Sequence, residues 1–239
     1  MKKLIGLTLG LAFSLAAAAP AFAAEVLYGA DGGGGNPSNL YILNPATGAI
    51  VSTVGPIGFA VTGLAIHPST GVLYGSTGRN SATFPHSLIT INKTTGAGTL
   101  VGSFVIGSLE TMADLTFTSD GTLYGWLEPS SDDLYTINTA TGAATLVGES
   151  GLNTFGSGLA ASAANVLFFA GDGDTFELRT ISRTTGLPTT VGTLNGSSDL
   201  SISAMAFNAA GTLYAVRLDN NGTTSGPPTS SRSTRRLPP

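Results

Sequence analysis

Leu134-Tyr135-Thr136-Ile137-Asn138-Thr139-Ala140-Thr141-Gly142-Ala143-Ala144-Thr145-Leu146-Val147-Gly148 reads as two short strands joined by a tight loop. Both alternating faces of Leu134 to Ile137 carry bulk, so this strand must be covered on both sides. Asn138 can bond the backbone ahead of it, and Gly142 can take the left-handed conformation at the loop exit. A single hairpin of this kind is not stable alone in water.

The same words recur along the chain. Asn-x-x-Thr-Gly stands at Asn44–Gly48, Asn92–Gly96 and Asn138–Gly142, with Ser182–Gly186 as a variant. Val-Gly follows at 54–55, 101–102, 147–148 and 191–192. A Leu-Tyr or Leu-Phe strand opens each unit near residues 26, 72, 122, 166 and 212, with Leu-to-Leu spacings of 46, 50, 44 and 46. The fourth landmark is a small apolar strand: Gly63-Leu64-Ala65-Ile66, Asp114-Leu115-Thr116-Phe117, Gly158-Leu159-Ala160-Ala161 and Ala204-Met205-Ala206-Phe207. Four strands in a period near 45 match the blade of a β-propeller better than the shorter leucine-rich or ankyrin periods. A sandwich would not need similar units, and solenoid coils are usually shorter. No run shows helical periodicity with proper caps, so the mature chain is expected to be all-β.

The pattern Gly-Leu-Ala-x-x-Pro-x-x-Gly-x-Leu-Tyr-Gly, then Leu-Tyr-x-Ile-Asn-x-x-Thr-Gly-Ala-x-Thr-x-Val-Gly, resembles the repeat of secreted bacterial β-propeller proteins of unassigned function. Leu64 to Gly75 and Leu134 to Gly148 carry it most clearly, and it extends over residues 26 to 216. Some proteins of that kind end in a Pro-Glu-Pro sorting signal with a membrane helix and a basic tail, which is not the ending seen here. The resemblance implies architecture and leaves activity open, because one scaffold hosts many unrelated sites.

Both ends depart from the repeat. Lys2 and Lys3, the apolar run Leu4 to Ala18, and Ala21-Phe22-Ala23 have the order of a secretory signal peptide over residues 1–24. The run falls short of a membrane span, and no later segment is long and apolar enough to be one. The expected location is therefore secreted or periplasmic. At the other end, residues 217–239 hold Arg232, Arg235 and Arg236 and close on two prolines, where a ladder would break. Either the reading frame shifts or ends inside a fifth unit, or this is a disordered basic tail. The first unit also lacks the small apolar strand before Val26. Ala204 to Phe207 would fill that gap and close a four-bladed ring. Otherwise four blades and the start of a fifth form an incomplete, open ring, which is the arrangement expected here.

Composition narrows the chemistry. Without Lys2 and Lys3 the chain carries 8 basic and 14 acidic residues, a net charge of −6, which argues against nucleic acid as a partner. Cysteine is absent, so disulfides and thiol chemistry are excluded. His67 and His86 lie in or near proline-containing turns and recur in no other unit. Gly32 to Gly35 imitate a phosphate-cradling loop, but Pro37 and a strand follow instead of a helix. The acidic loops after the Leu-Tyr strands are the remaining candidates: Asp31, Asp132 with Asp133, Asp172 with Asp174, and Asp219 would gather on one rim. Loops on one rim of a rigid scaffold commonly hold binding residues, although Asp and Gly also simply make tight turns. Asp172, Asp174 and Glu177 are candidate calcium ligands, short of the acidic positions an EF-hand needs. No other cofactor is expected. Trp126 either stacks on a sugar or protein partner from the rim or fills a blade. The small strands, expected to be innermost, hold Asp114 as their lone acid, which disfavours an axial-metal lactonase, lyase or hydrolase. The expected function is a non-enzymatic binding scaffold for protein or glycan surfaces.

Overall fold

Alternating runs of Val, Ile, Leu, Thr and Tyr form seventeen strands in the computed structural model, which describes residues 25–31, 35–172, 176–194 and 200–219. No helix occurs among the described residues, and none is therefore long and apolar enough to cross a membrane. The first blade is the antiparallel sheet β1 (Leu27–Ala30), β2 (Asn39–Leu43) and β3 (Ile50–Pro56). Three complete blades follow: β4 to β7 (Val61–Ile66, Leu73–Thr77, Ser87–Ile91, Gly98–Ser103), β8 to β11 (Thr111–Phe117, Leu123–Glu128, Asp133–Ile137, Ala144–Gly148) and β12 to β15 (Phe155–Ala161, Leu167–Asp172, Glu177–Ile181, Pro188–Thr193). These four blades stand in a ring. A two-stranded sheet, β16 (Leu200–Phe207) and β17 (Leu213–Asp219), accompanies them.

The decisive hairpin folds as read. Ile137 lies opposite Ala144, and Leu134 opposite Gly148. Asn138 Oδ1 accepts from the amides of Ala140 and Thr141 at 2.9 and 3.2 Å. Gly142 exits at a φ of 81° and donates to the Asn138 carbonyl at 2.8 Å. The repeated Val-Gly has a reason that periodicity does not reveal: the first three of these glycines, Gly55, Gly102 and Gly148, each back onto the Thr-Gly turn of the next blade. A Cβ on Gly142 would lie 2.3 Å from the Gly102 carbonyl oxygen, and one on Gly102 would lie 2.0 Å from that of Thr141. Gly55 with Gly96, and Gly148 with Gly186, repeat the contact. Backbone therefore meets backbone at the outer edge of consecutive blades.

Between the blades lie four apolar clusters. Leu40, Ile57, Val61, Leu73 and Ile89 join the first two blades. Leu88, Phe104, Met112, Leu115 and Leu123 join the second and third. Trp126, Leu134, Leu159, Leu167 and Phe169 join the third and fourth. Ala160, Leu178, Ile202 and Met205 join the fourth blade to β16. Strands apolar on both faces are satisfied in this way, and full burial of each large side chain contributes about 1.5–3 kcal/mol.

Four small strands converge on the axis. β4, β8, β12 and β16 present Gly63, Asp114, Gly158 and Ala204 at equivalent positions. A Cβ on Gly63 would lie 2.7 Å from the Asp114 Cα, and one on Gly158 would lie 2.8 Å from Met205 Cγ. The small residues let the inner strands approach closely enough for one carboxyl, that of Asp114, to reach their amides.

The chain ends follow neither closure route fully. β16 stands among the inner strands, since Met205 N donates to Asp114 at 3.3 Å. Its sheet partner, however, is β17 and not β1. Among the described residues the first blade has no inner strand, and it shares no sheet with β16. The first blade and the β16–β17 sheet touch through Ala209 N, which donates to the Glu25 carboxylate at 2.7 Å. Gly192 has nothing within 4 Å where its three counterparts meet a hairpin. β17 runs to Asp219, past the expected boundary at 216. The expected signal peptide over 1–24, and residues 220–239 of the expected tail 217–239, lie outside the described residues.

Candidate functional site at the axial mouth

Antiparallel alternation sends the Thr-Gly hairpins to one face of the ring. The loops after the Leu-Tyr strands and the loops between blades go to the other face. On that second face the inner strands begin, and around their starts the ring opens into a mouth of about 200 Å³. Thr62, Arg79, Asn80, Thr111, Glu128 and Phe155 line it. Gly35 comes so close that a Cβ there would lie 2.2 Å from the Asn80 carbonyl oxygen.

Below the mouth the axis is filled. Asp114 Oδ2 accepts from Leu159 N at 2.9 Å and Met205 N at 3.3 Å, and Oδ1 from Leu115 N at 2.8 Å. The amide of Leu64 adds a fourth contact, so one carboxyl ties together all four inner strands. Burial pushes Asp114 up to about 8, against the opposing pull of those amides.

Glu128 closes β9 and is the titratable group at the mouth whose protonation is most displaced. Burial pushes it up to about 7, partly opposed by hydrogen bonds from Ser157 and Gly156 and by the Arg79 charge. Ser157 Oγ lies 2.9 Å from Glu128 Oε2 and 3.3 Å from Thr154 Oγ1, which in turn donates to Asp132 Oδ1 at 2.9 Å. Arg79 Nη1 donates to the Leu109 carbonyl at 2.8 Å, which uses one of its five N–H groups. The loops of this face also hold four of the five non-glycine residues with left-handed backbone: Phe84, His86, Val105 and Asp132. Such strain persists only where the surroundings enforce it. Phe84, Val105, Leu109 and Phe155 are exposed on the same face.

Four of the acidic residues singled out by sequence, Asp31, Asp132, Asp133 and Glu177, have structural occupations. Asp31 accepts from Asn39 N and, at 3.2 Å, from the Tyr41 hydroxyl. Asp132 and Asp133 are buried; Ser150 N donates to Asp133 Oδ1 at 2.8 Å, and burial raises both carboxyls. Asp172 ends β13, and Asp174 lies outside the described residues. Glu177 is paired with Arg179 at 2.9 Å and accepts from Thr190 Oγ1 at 3.0 Å. Among the described residues no group of three or more His, Asp or Glu is placed to hold a metal. Trp126 corrects the rim assignment: it lies on β9, fully buried, with its ring 4.1 Å from that of Phe169. The cleft between two blades needs a large apolar filler, and Trp126 supplies it. His67 caps its own turn, with Nδ1 accepting from Ser69 N and Thr70 N at 3.2 and 3.3 Å.

Glu128, Arg79 and Phe155 were not legible as a site. The one available signal was a charge closing Leu123 to Leu127, a strand otherwise free of charged and hydrogen-bonding side chains except Tyr124 and Trp126.

No protein-family model matches this chain, and no curated protein matches it either. Solved structures do, at low identity. A chain of the nidogen/laminin complex is 13% identical with a TM-score of 0.56, over 82% of this chain and 73% of its own. A Bacteroides thetaiotaomicron protein of unknown function is 13% identical with a TM-score of 0.57; the match spans 80% of this chain and 53% of that one, about half its length. A gluconolactonase from Xanthomonas campestris is 12% identical with a TM-score of 0.53, over 79% of this chain and 70% of its own. At these identities the likeness is one of fold, and the fold this chain shares with them is the β-propeller.

Proposed function

We propose that this chain is an exported binding scaffold that engages protein or glycan surfaces through the face around its axial mouth. The observation that carries this reading is the spent axis. The one inner-strand carboxyl, Asp114, has both oxygens committed to backbone amides, and the equivalent positions are Gly63, Gly158 and Ala204. No recurring polar set remains there to arrange a reaction, while exposed apolar side chains and strained loops crowd the rim. One structural neighbour is itself seen in a complex with another protein.

A second reading has its own observation. Glu128, pushed up to about 7 in a concave mouth, has the protonation behaviour of a general acid or base, and one neighbour is a gluconolactonase.

One experiment separates them. The full chain is immobilised and exposed to purified cell-envelope fragments, and is assayed in parallel for lactone and ester hydrolysis. The scaffold reading expects retention of fragments, at least tenfold weaker in a Val105→Asp, Leu109→Asp variant, with no hydrolysis above that of Glu128→Gln. Turnover that disappears in Glu128→Gln would replace the scaffold with an enzyme.

A further inference from the structure

We propose that the axial mouth receives one ring of an uncharged sugar, stacked on Phe155 and hydrogen-bonded by Arg79, Asn80 and Glu128; the proposal deepens the scaffold reading and rests on it. Size is the first argument. A mouth of about 200 Å³ is smaller than the ~300–1,000 Å³ typical of sites for drug-sized ligands. It has room for a single ring and not for a long or branched molecule.

Charge selects next. The carboxyls around the opening are Glu110, Glu128, Asp132, Asp133 and Glu149, against Arg79, so an anion approaches an acidic face. A small cation fares no better: among the described residues no three carboxyls are placed together to hold it, and four of the five have an oxygen already engaged. Glu128 accepts from Gly156 N at 3.3 Å and from Ser157, Asp132 from Thr154, Asp133 from Ser150 N, and Glu110 from Ser130 N at 3.2 Å. A purely apolar molecule would cover the exposed Asn80 and the N–H groups that Arg79 does not spend on the Leu109 carbonyl, and would offer them no acceptor. A polyhydroxylated neutral ring meets each of these demands. Its hydroxyls accept from Arg79 and Asn80 and exchange hydrogen bonds with Glu128 and Thr111, and its C–H face covers the exposed Phe155 ring.

The face also restricts orientation. Phe155 begins β12, and Glu128 lies on the adjacent β9. Gly156 and Ser157, the residues directly after the aromatic ring, hold the Glu128 carboxyl. Platform and polar group are therefore fixed to each other by the same three residues, so stacking and hydrogen bonding would be lost together.

The test uses the full chain and the methyl glycosides of glucose, galactose, mannose and N-acetylglucosamine, with glucuronate and glucosamine as charged comparators. Saturation-transfer NMR reads contact of sugar C–H groups with the protein, and titration reads affinity. The expected result is binding of at least one neutral glycoside, with the charged relatives tenfold weaker or more. Phe155→Ala and Glu128→Gln should each weaken it at least tenfold, while Val51→Ala on the outer strand β3 leaves it unchanged. Silence from all four glycosides overturns the proposal, as does charged-sugar binding as tight as neutral. Failure here stays distinct from failure of the scaffold reading. Envelope retention without glycoside binding sinks only the sugar, whereas a glycoside bound and hydrolysed sinks only the scaffold.

Discussion

Asp114 is a small residue by volume with a large structural role. Replacing it with Ala leaves the inner-strand amides of Leu115, Leu159 and Met205 without their acceptor in a buried axis. Each buried orphan costs about 1–3 kcal/mol. Asp114→Ala is therefore expected to lose at least ~3 kcal/mol in a urea melt, a large fraction of the ~5–15 kcal/mol that holds an ordinary domain together. The same carboxyl sets a pH dependence. Folded, it holds its proton to about 8; its ordinary value is 3.8. Between those values the folded chain binds more protons than the unfolded one, so stability falls as pH rises through the window. Glu128 adds to the fall between its ordinary 4.5 and about 7. Thermal melts from pH 4.5 to 8.5 should show Tm declining with pH, with the decline between 4.5 and 7 shallower in Glu128→Gln. A Tm that climbs across this range would contradict the assignment. Asp114 was visible in the sequence as the lone acid of its strand set. Its occupation was not, because the amides that bind it come from residues 45 and 91 positions away.

At the scale of strands and hairpins, the repeat encodes a joint as well as a fold. Thr-Gly and Val-Gly look like independent turn and strand signals in one unit, yet they touch across consecutive units. Gly142 and Gly211 have nearly the same φ, 81° and 79°. Around Gly211 there is nothing within 4 Å, whereas a Cβ on Gly142 would press on the Gly102 carbonyl. Gly211→Ala is thus expected to cost about 1 kcal/mol for its left-handed backbone alone. Gly142→Ala should cost clearly more, because blade contact is lost as well. Equal losses in a denaturant series would show that the glycine pairs carry no load between blades. The hairpins themselves were legible because Asn, Thr and Gly act within five residues. The Trp126 placement was not, because a strand-end tryptophan reads the same whether it faces a cleft between blades or the rim.

For the whole molecule the decisive feature is the pair of chain ends. Among the described residues β1 pairs only with β2, and β17 only with β16. β1 and β17 thus each have one side without a sheet partner among the described residues, and such a side is a template for pairing with another chain. Concentration-dependent association is expected in light scattering, and Val216→Lys on the exposed side of β17 should suppress it. Association unaffected by that charge would place the contact elsewhere. The repeat alone determined the all-β class, the blade period, the hairpins and the missing first inner strand, since each depends on residues within one unit. Only the tertiary structure decided which residues meet at the axis and the mouth, and how the ends stand to each other. Those contacts join positions tens of residues apart, where spacing along the chain carries no information about distance in space.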